Sequence, residues 1–562
     1  MRDSDAARVR SRNCRKFAHL MRITSAVLAA ACLLTALACS ARDPSVFFVD
    51  PAPRGFVLPA RPIVLFFVDG LRPDVLDDLA GEGRLPRLQR LLFDRGAHAR
   101  SAVSSVPSVT FANAVSMVTG CFPGTHGAWA NVVFDRQQLR TRNYEDARDC
   151  AADDDRCPTI FERFDGQLTA GIALPFERGV KISRVQSAST GGAPFGLAWI
   201  MGRKEAADER LADQFSELAD EARIIGHWPA FIAVYLPAVD EVGHERGCDS
   251  PEYREAVANL DEVIGEVLEA FEAGGMLDEL TIVLTADHGF HATPQSIELG
   301  PTLAAALGTD VIVAEENDGE VPYLERWNRY APCRAVVTPN GLREASVSLR
   351  AGASWNDRPT LEQILGFPAA LGLPAGEDMP ARLLSPGVEL VAIRAGPDEV
   401  RVHGHEGAAA IRRLPSAQGE PHYDYRVLEG DDPLGYGADG RLRDWLAIAH
   451  TSREWLQATA DLRHPDIVPQ LVEAFDDPRS GDLILFAATG WDFSRDLYLG
   501  GHGGIERDEM IVPLWLAGPG IRAGAEVPAA RLVDLVPTLL ELAGVQTEGQ
   551  EFDGVSLAQE LR

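Results

Sequence analysis

Apolar runs of strand length recur along the chain, and polar or glycine-containing residues follow each of them. The runs PIVLFFVDG, FIAVYLPAVD and TIVLTADHG end at Gly70, Asp240 and Gly289, and GDLILFAATG and MIVPLWLAG follow nearer the C-terminus. Continuous Val, Ile, Leu and Phe are typical of strands that are buried on both faces. The pattern therefore predicts a sheet whose strands are covered on both sides.

Stretches with helical spacing lie between these runs. In SPEYREAVANLDEVIGEVLEAFEAGG, apolar residues recur every three or four positions from Val257 to Phe271, and Gly274 follows as a typical helix stop. ARLVDLVPTLLELAGV, near the end of the chain, predicts another helix. Strands that alternate with helices indicate the α/β class, with helices layered on a sheet.

The composition changes between residues 291 and 480, where Pro, Gly, Trp and charged residues are frequent and the apolar runs look short and polar. We interpret 291–480 as an inserted α+β cap lobe that interrupts one core, formed by 61–290 and 481–562. A lobe over strand ends often controls access to a site, because loops and lids carry such functions.

The N-terminus has the layout of a secretory signal peptide. From Met21, a short basic start precedes an apolar run at 23–38, which is shorter than the roughly 20 residues that a membrane-spanning helix needs. We predict a signal peptide over 1–38, with Met21 as a candidate true start. Cys39 then follows either ordinary cleavage or lipidation, with 39–60 as a tether. The expected location is the periplasm or, as an anchored lipoprotein, the cell envelope.

The formal net charge of −30 opposes a surface for duplex nucleic acid, which needs clustered Lys and Arg. It does not exclude an anionic substrate, because bound metal ions can reverse the local field. The eight cysteines form no CxxC pair, which argues against a zinc ribbon. Cys150 and Cys157 could close a small disulfide loop in an oxidising compartment or remain thiols.

Carboxylates and imidazoles follow several of the predicted strands. They are Asp69, Asp240, His244, Asp287, His288 and, in a glycine-rich loop, His502. Ligands of open α/β sheets bind at the carboxyl ends of the strands. Asp oxygen and His nitrogen suit zinc and similar ions. Six such ligands and one hydroxyl are enough for two ions, which can clamp the attacking and leaving oxygens of a phosphoryl displacement.

Thr110, in PSVTFANAVSMVTG, lies where a helix is predicted to begin. A helix N-terminus favours an anion, and a threonine hydroxyl becomes a nucleophile when a metal coordinates it. The alternative is that Thr110 or Ser108 is only an N-cap. With the carboxylates and imidazoles nearby in the fold, we favour the nucleophile, with the Asn113 amide pointing at a phosphate oxygen.

The ordered set VDG, TFxN, DxxGH, ADHG and GxHG resembles the type I phosphodiesterase/nucleotide pyrophosphatase family of the alkaline phosphatase superfamily. The resemblance implies an alkaline-phosphatase-like core with a mostly parallel central sheet. It also implies two divalent metal ions, with Zn²⁺ as the expected metal. One would be held by Asp69, Thr110, Asp287 and His288, and the other by Asp240, His244 and His502.

By the same resemblance, Thr110 would form a covalent phosphothreonine, Asn113 would hold the phosphate, and His126 would be structural. The expected substrate is a small phosphodiester or nucleotide-like molecule. The chain departs from the family's TFPNH, because Ala112 and Ala114 replace the Pro and His. The alternatives are a phosphomonoesterase or phosphonate hydrolase of the same superfamily and, in a different class, an inactive surface binding protein with this fold.

Overall fold

The computed structural model describes residues 61–146, 149–184, 208, 211–374, 378–416, 419–494, 498–547 and 549–562. The predicted signal peptide at 1–38 and the tether at 39–60 lie outside these residues. Within the described ranges, no helix is both long and apolar enough to cross a bilayer.

The larger part of the molecule is organised on an eight-stranded central sheet. In spatial order, its strands are Glu526–Val527, Gly96–Ala99, Leu514–Ala517, Thr281–Ala286, Ile63–Val68, Phe231–Leu236, Thr169–Ile172 and Ile182–Arg184. Only Leu514–Ala517 pairs antiparallel with its neighbours, and the other adjacent strands are parallel. The sheet is therefore mostly parallel, as predicted.

The three longest apolar runs form the centre of this sheet. Ile63–Val68, Phe231–Leu236 and Thr281–Ala286 are buried along their whole length. Their parallel register aligns Val68 with both Leu236 and Ala286, so the three strands end level with one another. The residues that follow these strands therefore meet at one edge of the sheet.

Helices cover the sheet, and the predicted ones are present. Pro251–Ala273 begins after Ser250, whose hydroxyl accepts a hydrogen bond from the Tyr253 N–H, and it ends at Gly274. The longer helices are Pro73–Gly81, Thr110–Thr119, Leu211–Ile225, Ala238–Arg246, Pro251–Ala273, Leu299–Leu307, Tyr323–Tyr330, Ser452–Thr459, Ile467–Ala474 and Leu535–Ala543. The molecule is thus a layered α/β fold.

A second sheet of nine strands occupies most of the region between the two core segments. In spatial order, its strands are Val311–Val313, Ala335–Asn340, Glu344–Leu349, Leu483–Ala487, Val388–Arg394, Glu399–Gly404, Gly407–Leu414, His422–Gly430 and His450–Thr451. All its pairs are antiparallel except the first. Several strands are long and well buried, contrary to the expectation of short, polar strands.

The strand Leu483–Ala487 corrects the predicted boundary at residue 481. It lies in the middle of the second sheet, between Glu344–Leu349 and Val388–Arg394, and not in the central sheet. An apolar run that is buried on both faces looks the same in either sheet, so its pattern does not reveal its partners. The division at 291 and 480 otherwise remains a prediction.

The second sheet packs against the core and is not a separate lid. One of its faces contributes Leu390, Val400 and Ile411 to the same hydrophobic core as the central sheet, together with Trp455 and Leu471 from two helices. Its other face is covered by the helices Leu299–Leu307, Leu361–Leu365 and Met379–Leu383. Shared burial of this kind ties the two sheets together.

The predicted small loop at Cys150 and Cys157 is not closed by a disulfide. Cys150 is partly exposed and Cys157 is buried, and no disulfide joins them. The Cys157 thiol instead faces Cys121, and this contact, with burial, raises the pKa of Cys121.

Candidate active site

The carboxylates at the strand ends converge because the three central strands end level. Asp69 and Asp287 directly follow Val68 and Ala286. Asp240 lies in the first turn of the helix Ala238–Arg246, which begins just after the strand Phe231–Leu236. Gly70 allows this approach. It has a positive φ of 65°, and a Cβ there would lie 3.0 Å from Asp240 atoms.

All three predicted histidine ligands are oriented by a hydrogen bond from Nδ1 to a backbone carbonyl. The contacts are His244 to Gly500 (3.0 Å), His288 to Gly289 (2.9 Å) and His502 to Ser108 (2.9 Å). An Nδ1–H that donates to a carbonyl leaves the Nε2 lone pair free, which is how metal-binding imidazoles are usually held. The Nε2 atoms all face the carboxylates.

These side chains form two adjacent groups that share one carboxylate. Ligand atoms of Asp240, His244 and His502 lie within 4.8 Å of one another, and those of Asp69, Asp240 and His288 do so as well. Asp240 therefore stands between the two groups. Asp287 completes the second group, with Oδ2 lying 3.4 Å from His288 Nε2.

The groups carry carboxylate oxygens that nothing else in the described structure satisfies. Asp69 Oδ1, Asp240 Oδ1 and Asp287 Oδ2 are buried without a hydrogen-bond partner. Burial, and then the neighbouring carboxylates, raise the pKa of Asp240 and of Asp287 well above the usual range. Buried carboxylates of this kind need a cation, and the donor set of carboxylates and imidazoles fits a divalent metal.

The electrostatics of two imidazoles agree with a role as neutral ligands. Burial lowers the pKa of His244 to about 4 and that of His502 well below its usual value. Both are therefore neutral at physiological pH, which is the form that binds metals. On the other side of the cluster, the Tyr235 hydroxyl donates a hydrogen bond to Asp69 Oδ2, leaving Oδ1 to face the site.

Thr110 is the first residue of the helix Thr110–Thr119 and does not cap it. The N-cap position is Val109, whose side chain makes no capping hydrogen bond. The Thr110 hydroxyl instead lies 3.4 Å from His288 Nε2, at the edge of the carboxylate cluster. The N-cap alternative is therefore wrong for Thr110. It is also wrong for Ser108, whose hydroxyl donates to the Gly504 carbonyl (2.8 Å).

Asn113 does not point at the position of a phosphate, which corrects the prediction for this residue. Its side chain is fully buried. Its Oδ1 accepts a hydrogen bond from Ser105 N–H (2.8 Å), and its Nδ2 donates to the carbonyls of Pro107 (3.0 Å), Val109 (3.1 Å) and Ser105 (3.3 Å). The amide therefore shapes the turn that leads into Thr110.

Asn131 is a site residue that sequence reasoning missed. Its Oδ1 accepts a hydrogen bond from the Phe111 N–H (3.0 Å), and its Nδ2 donates to Glu145 Oε1 (2.9 Å). This brings a neutral amide to the N-terminus of the Thr110 helix. No local pattern marks Asn131, because the contact joins residues that are distant in sequence.

His126 is fully buried and has a structural environment. Its Nδ1 accepts a hydrogen bond from Ala128 N–H, and its Nε2 lies 3.1 Å from both the Ala112 carbonyl and the Ser116 hydroxyl. Burial lowers the pKa of His126 to about 3, so the imidazole is neutral at physiological pH.

Comparison with known proteins agrees with the fold. The sequence model of the family described as type I phosphodiesterase/nucleotide pyrophosphatase matches residues 63–321. This segment includes all the site residues named above except His502 and the Gly500–Gly504 loop around it.

Curated relatives match a similar part of the chain. An uncharacterized pyrophosphatase/phosphodiesterase of Schizosaccharomyces pombe is 27% identical over 41% of this chain and 45% of its own length. Ectonucleotide pyrophosphatase/phosphodiesterase family member 3 of Bos taurus is 25% identical over 43% of this chain and 26% of its own length. The chain thus spans less than half the length of these relatives.

Solved structures extend the likeness in fold over most of the chain. Human ectonucleotide pyrophosphatase/phosphodiesterase 5 has a TM-score of 0.52 at 15% identity and covers 89% of this chain and 100% of its own. The murine protein, solved as an inactive variant in complex with AMP, has a TM-score of 0.50 at 15% identity and covers 88% of this chain and 97% of its own.

Proposed function

Because this chain belongs to the type I phosphodiesterase/nucleotide pyrophosphatase family, we propose that it hydrolyses phosphodiester or pyrophosphate bonds at the site around Thr110. The proposal rests on one observation: a hydroxyl at a helix N-terminus, three oriented imidazoles and three carboxylate oxygens without hydrogen-bond partners lie close together. These residues come from five separate parts of the chain, around Asp69, Thr110, 240–244, 287–288 and His502.

Two divalent ions, which we assign as Zn²⁺, fit these residues. Asp240, His244 and His502 would hold one ion, and Asp69, Asp287, His288 and the Thr110 hydroxyl would hold the other. When bound, such ions lower the pKa of a coordinated hydroxyl and stabilise the charge that develops on phosphoryl oxygens. The unsatisfied oxygens of the three aspartates support this assignment.

In the proposed reaction, Thr110 Oγ1 gives up its proton to solvent water and attacks the phosphorus atom. The bond from phosphorus to the leaving oxygen breaks, and the leaving group departs with the bonding electron pair. Water then attacks the phosphothreonine, which releases the phosphoryl product and restores the Thr110 hydroxyl. The position of Thr110 at a helix N-terminus favours the anionic phosphoryl group throughout.

Asn131, and not Asn113, is the amide that we assign to phosphate binding. It contacts the backbone of the residue next to Thr110, and its Nδ2 is held in place by Glu145. Asn113 has its hydrogen-bonding groups committed to backbone atoms. A donor that is positioned before the reaction stabilises developing charge without reorganisation.

We propose a small phosphodiester or nucleotide-like substrate. The groups that surround Thr110 are carboxylates, imidazoles and an amide, and a phosphodiester carries one negative charge fewer than a monoester dianion. This favours diesters over the alternatives of a phosphomonoesterase or a phosphonate hydrolase. The murine structural relative was solved in complex with AMP, which supports testing nucleotides first.

A panel of chromogenic phosphodiester, phosphomonoester and phosphonate substrates, assayed with and without a chelator, tests the proposal. We expect the diester to be turned over fastest, activity to be lost with chelator and Zn²⁺ to restore it. Faster turnover of the monoester or the phosphonate would favour the corresponding alternative. Metal binding without turnover of any substrate would favour an inactive binding protein.

We also propose that the protein is exported, on the basis of the basic and apolar pattern of residues 1–38. Whether Cys39 carries a lipid that tethers the protein to the cell envelope is a prediction from sequence alone. Mass spectrometry of the mature N-terminus tests both, because Cys39 should be the first residue, with or without acyl chains. Retention of Met1 or Met21 would contradict export.

A further inference from the structure

A buried cluster of charges lies behind the candidate active site and contributes no atom to it. Arg343 and Glu509 are fully buried and Glu506 nearly so. Arg343 Nε donates to Glu509 Oε1 (2.8 Å), and Arg343 Nη2 donates to Glu506 Oε2 (2.8 Å). Buried charges are costly unless they are paired, so an arrangement of this kind needs a reason beyond stability.

Arg343 belongs to the second sheet, where it directly precedes the strand Glu344–Leu349. Its backbone N–H donates to the carbonyl of His502 (3.0 Å), and the N–H of His502 donates to the Gly341 carbonyl (2.7 Å). The turn at 341–343 therefore carries the loop that presents His502. The guanidinium also donates to the carbonyls of Ala488 and Trp491, which fixes it from the far side.

Glu509 joins this arginine to both loops that carry site histidines. Its Oε1, the atom that Arg343 holds, accepts a hydrogen bond from Gly504 N–H (2.8 Å) in the His502 loop. Its backbone carbonyl accepts a hydrogen bond from Gly289 N–H (2.7 Å), directly after His288. The Arg343 guanidinium is thus connected, through Glu509, to the loops that carry two of the three imidazoles.

The cluster is not itself a third metal site. Ligand atoms of His291, Glu506, Asp508 and Glu509 lie within 4.8 Å of one another, which is a spacing that suits a metal. However, His291 Nε2 accepts a hydrogen bond from Gly490 N–H (2.9 Å), so its Nδ1 carries the proton and donates to Asp508 (2.6 Å). That imidazole has no lone pair left, and the carboxylates of the cluster are paired with guanidinium groups, Glu509 with that of Arg343 and Glu506 with those of Arg343 and Arg463.

We propose that Arg343 is a positioning residue that lets the second sheet set the geometry of the metal ligands His288 and His502. The proposal rests on the proposed function of the site. The planar guanidinium reaches two carboxylates at once through a fixed fork of donors, whereas a lysine ammonium is a single point charge. Loss of an outer partner of this kind typically lowers metal affinity or activity by about 10- to 100-fold.

The test compares three purified full-length variants, Arg343→Met, Arg343→Lys and Arg136→Met, with the wild type. Arg136→Met is the matched control, because Arg136 is almost fully buried and pairs with the buried Asp482 (2.6 Å), and among the described residues no hydrogen bond or ion pair joins it to the histidine loops. Zn²⁺ affinity is measured by competition with a chromogenic chelator, and kcat and KM are measured with the chromogenic diester at saturating Zn²⁺.

We expect Arg343→Met to bind Zn²⁺ at least 10-fold more weakly than the wild type, with lower kcat and little change in KM. Arg343→Lys should lie between them. Arg136→Met should lose stability but keep Zn²⁺ affinity. If Arg343→Met does not fold, Arg343→Lys decides, because it keeps the charge and loses the fork.

Equal Zn²⁺ affinity in the wild type and in the folded Arg343 variants would overturn the positioning role, even if their stability falls. Equal weakening in Arg136→Met would also overturn it, because the effect would then follow from lost stability alone. A wild-type protein that binds Zn²⁺ but turns over no substrate would contradict the proposed function and leave the affinity test of Arg343 decisive. A wild type that binds no metal would overturn both.

Discussion

We assign phosphate binding to Asn131 and a structural role to Asn113, and two alanine variants test this assignment. Asn113→Ala removes an amide that has no exposure and bonds only to backbone atoms. Asn131→Ala removes an amide that bonds to the Phe111 N–H beside Thr110. The first variant should mainly lose stability, and the second should mainly lose activity.

The expected loss of stability follows from the hydrogen bonds. The two Nδ2 hydrogens of Asn113 are shared among three carbonyls, and Oδ1 accepts one further bond from Ser105 N–H. Three hydrogen bonds at about 1 kcal/mol each give a loss of about 3 kcal/mol in the free energy of unfolding. For Asn131→Ala, we expect about 1 kcal/mol and a fall in kcat of about 100-fold, as for the loss of a donor to a developing oxyanion.

The assay combines urea unfolding, followed by tryptophan fluorescence, with turnover of the chromogenic diester per folded molecule. Asn131→Asp is a useful companion, because it keeps the acceptor for Phe111 N–H but removes the Nδ2 donor. It should lose activity as Asn131→Ala does. A stable Asn113→Ala with a greater loss of turnover than Asn131→Ala would refute the reasoning and restore the original prediction for Asn113.

Three further predictions concern other parts of the site and of the core. Thr110→Ala should remove most turnover while metal content stays nearly unchanged, and Thr110→Ser should retain a part; an active Thr110→Ala enzyme would show that another residue is the nucleophile. His502→Ala should lower metal content and turnover together, because the lost ion is worth several kcal/mol of transition-state stabilisation. Turnover and metal content are measured on the same sample, and full activity in this variant would exclude His502 as a metal ligand. The pKa of His126 is about 3 in the fold and about 6.5 when unfolded. Below pH 6.5 the unfolded chain therefore binds a proton that the folded chain does not, and the stabilising contribution of the imidazole decreases as the pH is lowered. Between pH 6.5 and 5 the loss is about 2 kcal/mol, so the stability difference between the wild type and His126→Gln should shrink by that amount in urea unfolding, and a constant difference would contradict it.

The strand ends could be predicted because the signal is local. Asp69 and Asp287 each follow an apolar run directly, and a run that is buried on both faces indicates a central strand of a parallel sheet. The level ends of these strands then bring the two carboxylates together. Asp240 and His244 lie four residues apart, which puts them on one face of a helix.

The predictions that the structure corrects depend on the hydrogen-bond partners of a side chain or on the neighbours of a strand. Asn113 lies one turn after Thr110, so a phosphate contact was plausible, but its amide turns back to the preceding loop. Asn131 reaches the same helix end from a separate segment. The strand Leu483–Ala487 is apolar enough for either sheet, and only its partners decide the matter. Spacing along the chain cannot rank such options.

The second sheet, which the sequence predicts as a cap, is instead connected to the residues of the site. A lobe that only covers strand ends would control access and leave the ligands in place when it moves. Here, the turn at 341–343 pairs with His502 through backbone hydrogen bonds, and Arg343 is buried against Glu509 behind the His502 loop. Because the second sheet also shares its hydrophobic core with the central sheet, it cannot swing away without disturbing His502, a proposed metal ligand. The second sheet therefore belongs to the frame of the site, and substitutions within it should be judged first by their effect on metal binding and only then by their effect on access.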